Sequence, residues 1–315
     1  MKINIIVLCL MALLFPKKSF SANDVYFSRI GVEHGLSQLT VMKMYQDELG
    51  GMWFATREGL NRYNGSSMEV FRPIPNDSNS LGESLILYVC GDKSGHVFIH
   101  TQNGVNEYDL RSSKMKLIRK SSIDAISYGK NNLWIAEKNK IYAYKNGELT
   151  LFCELPSNMS IRKIYQTKDE RILLGTLSLG VFVIDKTKKI RSFLPACSRV
   201  SDILEDSKQN IWITTWQKGL YKIEKNGNVI NYKQKNDFFN NCISSNFVRS
   251  VCEDNNGFIW IGTTNGLDRL DVSKDEFKHY GSGAYSFKEL SNESVWALLK
   301  DDQGTISKQH YQKLN

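Results

Sequence analysis

Proteins hold a sugar ring by laying an aromatic face against its C–H side and offering polar side chains to its hydroxyls. This sequence places such residues in short segments around glycines: Arg57 and Glu58, Gln102 and Asn103, Trp216 and Lys218, and Asn265. Together they could hold an oligosaccharide. The alternative is that Trp216 packs on a neighbouring loop and the polar residues are simply solvated. His100 is a separate candidate, because it stands where equivalent segments carry Ala, Gly or Thr. Either it contacts a ligand or neighbouring backbone satisfies it.

Other chemistries find less support. The histidines are His34, His96, His100, His279 and His310, and none lies in a helical pattern suited to a phosphoacceptor bundle. His96 and His100 are four apart, but on a strand that spacing spans about 13 Å, too far for a metal pair. Gly281-Ser282-Gly283 lacks the strand-to-helix context that cradles phosphate. Of six cysteines, Cys9 falls in the leader, leaving Cys90, Cys153, Cys197, Cys242 and Cys252 without a C-x-x-C pair. Buried free thiols are the reading, with a Cys242–Cys252 bridge as the alternative. Asp47, Asp169, Asp206 and Asp254 precede one recurring hairpin turn, which explains them by turn hydrogen bonding rather than as a catalytic pair. No cofactor or metal is expected.

The candidate residues need elements to hold them, and a repeat supplies these. A polar turn, a strand with a large and then a small residue, and a Gly-Leu turn recur at DELGGMWFATREGLNRY from Asp47, GDKSGHVFIHTQNGVNEY from Gly91 and NNLWIAEKNKIYAY from Asn131. They return at TKDERILLGTLSLGVFVI from Thr167, DSKQNIWITTWQKGLYKI from Asp206 and DNNGFIWIGTTNGLDRL from Asp254. The large residues are Trp53, Phe98, Trp134, Leu173, Trp212 and Trp260, spaced 45, 36, 39, 39 and 48 residues apart. That period fits a four-stranded propeller blade. In the first copy it predicts strands at 41–46, 52–56, 60–63 and 68–71. The large column should wedge between blades, and the small column (Ala55, Ala136, Gly175, Thr214, Gly262) should permit close approach near the axis. The candidate residues then share one face, because loops between second and third strands and between blades emerge together.

Lys2, an apolar run from Ile5 to Phe15, and Ser19-Phe20-Ser21 read as a secretory leader over residues 1–21, and no later apolar run is long enough to span a bilayer. The formal charge of +8 falls to +5 without Lys2, Lys17 and Lys18. The remaining basic residues are scattered, as on solvated strand edges, and do not point to nucleic acid.

The phrase Gly257 to Leu267 resembles the two-component regulator propeller repeat, and Phe27 to Ser37 resembles how such sensors begin after the leader. The resemblance implies an all-β propeller over 22–306, outside the inner membrane, that senses a ligand without catalysis. In the family a membrane helix and a histidine kinase follow, and many members are implied to respond to carbohydrate fragments. An oligosaccharide ligand, a periplasmic or other extracytoplasmic location, and signalling through propeller or homodimer contacts are therefore expected. A secreted propeller lyase or glycosidase and a protein-binding scaffold are the rivals, since one fold hosts all three.

Counting strands predicts six complete blades and an incomplete seventh. Its inner strand is Ser294 to Lys300, yet position 307 is Ser where Trp should stand, so residues 307–315 read as a frayed, non-family tail of a truncated sensor. Tyr26 to Ile30 should be its outer strand, facing the inner one across a gap of about 10 Å. Export with cleavage near Ser21 is expected. Mass spectrometry of fractionated cells checks it, and a full-length cytoplasmic chain would refute it.

Overall fold

In the computed structural model, residues 30–77, 79–156, 159–195, 197–235, 241–281 and 294–310 are described. The expected leader and most of the Tyr26–Ile30 strand lie outside these residues, as do Ser282 and Gly283.

Each repeat folds as an antiparallel meander because its turns are fixed from within. In blade one, β1 (Val41–Gln46), β2 (Met52–Thr56), β3 (Gly59–Tyr63) and β4 (Met68–Phe71) pair in sequence order. The β1–β2 turn closes on Asp47. Its Oδ1 accepts from the Leu49 and Gly51 amides at 3.0 and 2.7 Å, and its Oδ2 accepts from Trp53 Nε1 at 2.8 Å. Asp206 and Asp254 grip Trp212 and Trp260 in the same way, at 2.9 and 2.7 Å. Asp169 departs from expectation. Thr167 holds the corresponding position, its amide donating to the Arg171 carbonyl as that of Asp47 does to Gly51. Asp169 sits at the turn tip instead, where it accepts from Thr167 Oγ1 and Arg171 Nε.

The second turn rests on Thr and Gly. Thr56 Oγ1 donates to the Gly59 carbonyl at 2.7 Å and accepts from the Glu58 amide at 3.2 Å, and Thr176, Thr215 and Thr263 repeat the pattern. The glycine is required twice over. At Gly59 φ is +129°, and a Cβ there would meet the carbonyl oxygen of Phe71 in the outer strand.

Six blades are complete four-stranded sheets. Numbered through in chain order, the later inner strands are β5 (Ile86–Gly91), β9 (Ala125–Tyr128), β13 (Ile161–Gln166), β17 (Val200–Glu205), β21 (Val248–Glu253) and β25 (Val295–Lys300). Each touches its neighbours, and β25 also touches β1, so seven inner strands close a ring. One apolar core fills each junction. Trp53 packs among Ile86, Val89 and Ile99 of blade two, and Trp212 among Val251, Ile259 and Ile261 of blade six. The junction between blades seven and one has no such wedge and rests on Val41, Met44, Phe54 and Ala297.

Blade seven holds β25 and β26 (Ile306–His310), two strands among the described residues. The predicted fraying from Ser307 is not what is found: β26 pairs with β25 from Lys300↔Ile306 through Val295↔His310. Losing the indole at 307 removes a wedge but not a backbone ladder. The turn is also intact, with Asp301 Oδ1 accepting from the Gln303 and Thr305 amides. All five cysteines among the described residues are free, including Cys242 and Cys252, so that bridge is absent.

Trp212→Ala should lower unfolding free energy in urea by about 3–5 kcal/mol, because the indole is fully buried and anchored. Ser307→Ala, at the matching place in blade seven, should move it by less than about 0.5 kcal/mol.

Candidate functional site: an axial pocket

Six of the seven inner strands break register at one place: between Val41 and Lys43, Ile86 and Tyr88, Ile161 and Lys163, Val200 and Asp202, Val248 and Ser250, and Val295 and Ala297. A bulge leaves one residue unpaired and re-aims its side chain. The extra residues are Met42, Leu87, Arg162, Ser201, Arg249 and Trp296. Each lines one axial pocket of about 580 Å³ together with the residue after it: Lys43, Tyr88, Lys163, Asp202, Ser250 or Ala297. Blade three supplies Asp124 and Ala125 at the matching positions, Asp124 lying just ahead of β9. Leu177, Arg199 and Trp216, on the loops of one face, complete the mouth.

A charged cluster crosses the axis. Lys163 Nζ lies 2.7 Å from Asp202 Oδ1 and donates to Tyr88 Oη at 2.9 Å, with its charge 4.6 Å from the Tyr88 ring. Lys43 Nζ is 4.0 Å from Asp202 Oδ2 and 5.3 Å from the same ring. Burial alone would lower the Lys163 ammonium and raise the Asp202 carboxyl, but their mutual attraction reverses both shifts. Blades one, two, four and five are thus tied across the channel. On the other side the Arg249 guanidinium lies 3.6 Å from the Trp296 ring centroid and 4.1 Å from that of Trp216, sandwiched between two indoles.

His100 lies on β6 (His96–Thr101) and lines the pocket while being 4% exposed. Its Nε2–H donates to the Ile123 carbonyl at 3.1 Å. Backbone therefore satisfies it, as the simpler expectation held, and it also borders the cavity. Trp216 packs edge-on against Phe247, with centroids 4.9 Å apart, as the packing alternative has it, and it also lines the pocket. Arg57, Glu58, Lys218 and Asn265 sit on the β2–β3-type turns of the same face, outside the lining, with Gln102 and Asn103. The amides of Glu58, Lys218 and Asn265 serve the Thr-centred turns. Asn103 Nδ2 donates to Glu83 Oε2, and Asn265 Nδ2 to the Ser244 carbonyl.

The inner-strand residues escape a repeat pattern whose recurring residues lie on the second strand. Aligning the inner strands VMKMYQ, ILYVCG, IRKIYQ, VSDILE, VRSVCE and VWALLK shows apolar first and fourth positions and a second and third that vary freely. Variation inside a repeated strand was the available signal. Elsewhere nucleophiles are suppressed: burial pushes the Cys90 and Cys252 thiols up to about 12. Among the described residues no group of His, Cys, Asp and Glu could hold a metal.

Burial pushes the His100 imidazole down to about 4. Between that value and an ordinary pKa of about 6.5 the unfolded chain binds more protons than the folded one, so stability falls as pH falls through this window. In His100→Thr the melting temperature should therefore drop less between about pH 7 and pH 4.5 than in the parent. Equal slopes in a thermal melt series would refute it.

Two stretches, residues 194–217 and 242–265, match the two-component regulator propeller family. They carry the inner and second strands of blades five and six, and so Asp202, Trp216 and Arg249. Histidine kinase P4 of Formosa agariphila is 38% identical over 64 residues, which are 20% of this chain and 5% of that one. The extracellular domain of BT3049 from B. thetaiotaomicron, designated a hybrid two-component system, superposes with a TM-score of 0.75 at 24% identity, over 90% of this chain and 40% of that one. A streptogramin B lyase superposes with a TM-score of 0.68 at 13% identity, over 87% and 92%. At these identities the solved structures share the fold alone, and the chain spans well under half of either two-component relative. Blades five and six match the two-component regulator propeller repeat, and the other four complete blades share their four-stranded order.

Proposed function

We propose that this chain is the extracytoplasmic ligand-sensing propeller of a two-component sensor, and that a saccharide enters the axial pocket from the loop face. The observation that carries the reading is the convergence of unrepeated side chains. Where the repeats must pack they agree in residue type, and where all seven inner strands meet they differ. A volume near 580 Å³ falls within the roughly 300–1,000 Å³ usual for small-molecule sites. Indole faces at Trp216 and Trp296 and polar groups at Ser201, Ser250 and Tyr88 suit a polyhydroxylated ring. A ligand touching several inner strands would bias how the blades sit against one another. That bias is the differential interaction a sensor needs in order to pass a signal onward, to a further domain or a second copy.

The lyase-like superposition supports a rival, a propeller enzyme using the same pocket. Against it, His100 is tied to backbone and Asp202 to Lys163, so neither is poised as a base.

Calorimetric titration of the mature chain with a panel of neutral and acidic oligosaccharides tests the proposal. One saccharide class should bind and perturb tryptophan fluorescence. Trp216→Ala should weaken that binding about tenfold or more, and Arg57→Ala, on the same face but outside the lining, should weaken it less. Binding by no member of the panel would overturn the sensor reading, and turnover of a bound one would favour the enzyme.

A further inference from the structure

Two side chains on the wall of the axial pocket have hydrogen-bonding capacity that the fold uses only in part. Tyr88 and His100 are cross-strand partners on β5 and β6, so they stand on the same face of blade two, and both line the cavity. His100 is 4% exposed. Its Nε2–H is committed to the Ile123 carbonyl at 3.1 Å, which fixes the tautomer and leaves Nδ1 as an acceptor. No donor among the described residues reaches that nitrogen.

Tyr88 is engaged in the complementary sense. An ammonium can only donate, so in its 2.9 Å contact with Lys163 Nζ the Tyr88 oxygen accepts. The hydroxyl's own hydrogen is left over, and no acceptor for it is found among the described residues. Lys163 is in turn held by Asp202 at 2.7 Å, so the phenol is fixed by a group that cannot take its proton.

The imidazole is not there for packing. At its position the other second strands carry Ala55, Ala136, Gly175, Thr214 and Gly262, so a blade is built without it. A buried acceptor left unpaired is costly and calls for a donor. Burial pushes the imidazole down to about 4, so at neutral pH it is uncharged and accepts a hydrogen bond from a hydroxyl without removing its proton.

Resting on the sensor reading above, we propose that Tyr88 and His100 are the specificity-determining pair of the axial pocket: His100 Nδ1 accepts from one hydroxyl of a bound saccharide, and Tyr88 Oη–H donates to another. A hydroxyl can both donate and accept, so a polyhydroxylated ring satisfies the two groups together. A carboxylate or a carbonyl would serve Tyr88 but has nothing to donate to Nδ1. A sugar lacking either hydroxyl leaves a buried group unpaired, and a site of this kind rejects it more strongly than an apolar pocket would.

The test titrates galactotriose, mannotriose and xylotriose, each with its monodeoxy derivatives, into the mature chain, and follows the nitrogen NMR signals of isotope-labelled histidine in parallel. At least one of the three should bind and move the His100 Nδ1 signal upfield, as a newly accepted hydrogen bond does. Removing either of two particular hydroxyls from that trisaccharide should weaken binding about tenfold or more. Tyr88→Phe should weaken the intact sugar by a similar factor and bind one of those deoxy derivatives no worse than the intact sugar, and His100→Ala should do the same with the other. The Nδ1 signal is read on the unaltered protein, so it decides even where a variant fails to fold. A trisaccharide that binds without moving that signal, or whose deoxy derivatives lose as much in the variants as in the parent, overturns this inference and leaves the sensor reading standing. No binding by the three also overturns it, and the sensor reading falls with it only if the wider panel fails too.

Discussion

The ring depends on an indole that fills the wedge between one blade and the next while a carboxylate six residues upstream holds its Nε1–H. Asp47 with Trp53, Asp206 with Trp212 and Asp254 with Trp260 repeat this unit with bond lengths of 2.7–2.9 Å. The same carboxylate accepts turn amides, so one side chain sets both the hairpin geometry and the position of the wedge. Directly across the ladder stands a cation over each ring: Arg62, Lys222 and Arg269 lie 5.4, 5.8 and 5.8 Å from the indole centroids. Where the carboxylate is missing, a substitute appears. In blade three Trp134 Nε1 donates to Gln166 of the next blade at 3.1 Å, which ties the junction from the other side.

Because the second strands carry the packing, the inner strands are released from it at their start. Their first and fourth residues remain in the cores, while the bulged second and third turn to the axis and vary in type, although Met42 and Ala297 also pack at a junction. The small column on the second strand makes this compatible with a narrow ring. At Gly175 and Gly262 a Cβ would strike Val200 and Ser250, respectively, within the inner strands of blades five and six. His100 breaks that column and remains tolerated because the Ile123 carbonyl, also at the face of the ring, accepts a hydrogen bond from its Nε2–H. The axial lining is thereby separated from the packing within a single repeat.

The charged axis has a second consequence. Lys163 and Asp202 belong to adjacent blades, but Lys43 and Tyr88 reach them from across the channel, so the cluster braces the ring as well as shaping the pocket. A buried pair of this kind is rarely a large net source of stability, since desolvation opposes the attraction. What it supplies here is position: two inner strands are fixed at one height, with Asp202 held between Lys163 and Lys43.

The strand count, the blade period, the wedge and small columns, and the face carrying the loops were all legible in the sequence, because each follows from residues that recur at a fixed spacing and act within one repeat. The turn role of Asp47, Asp206 and Asp254 was legible for the same reason, while Asp169 misled because it lies two positions off the register that backbone pairing, and not residue type, defines. The extent of β26 was not legible: the missing indole at 307 signalled an ending, whereas pairing is made by backbone that sequence pattern does not report. The pocket belongs to the tertiary structure alone. Arg249 and Trp296 come from two inner strands and Trp216 from the loop after a second strand, separated by 33 to 80 residues, and only closure of the ring brings them within stacking distance. Charge shows the same limit, since a chain with basic residues scattered along its length gathers five of them on one axis only when seven strands converge there.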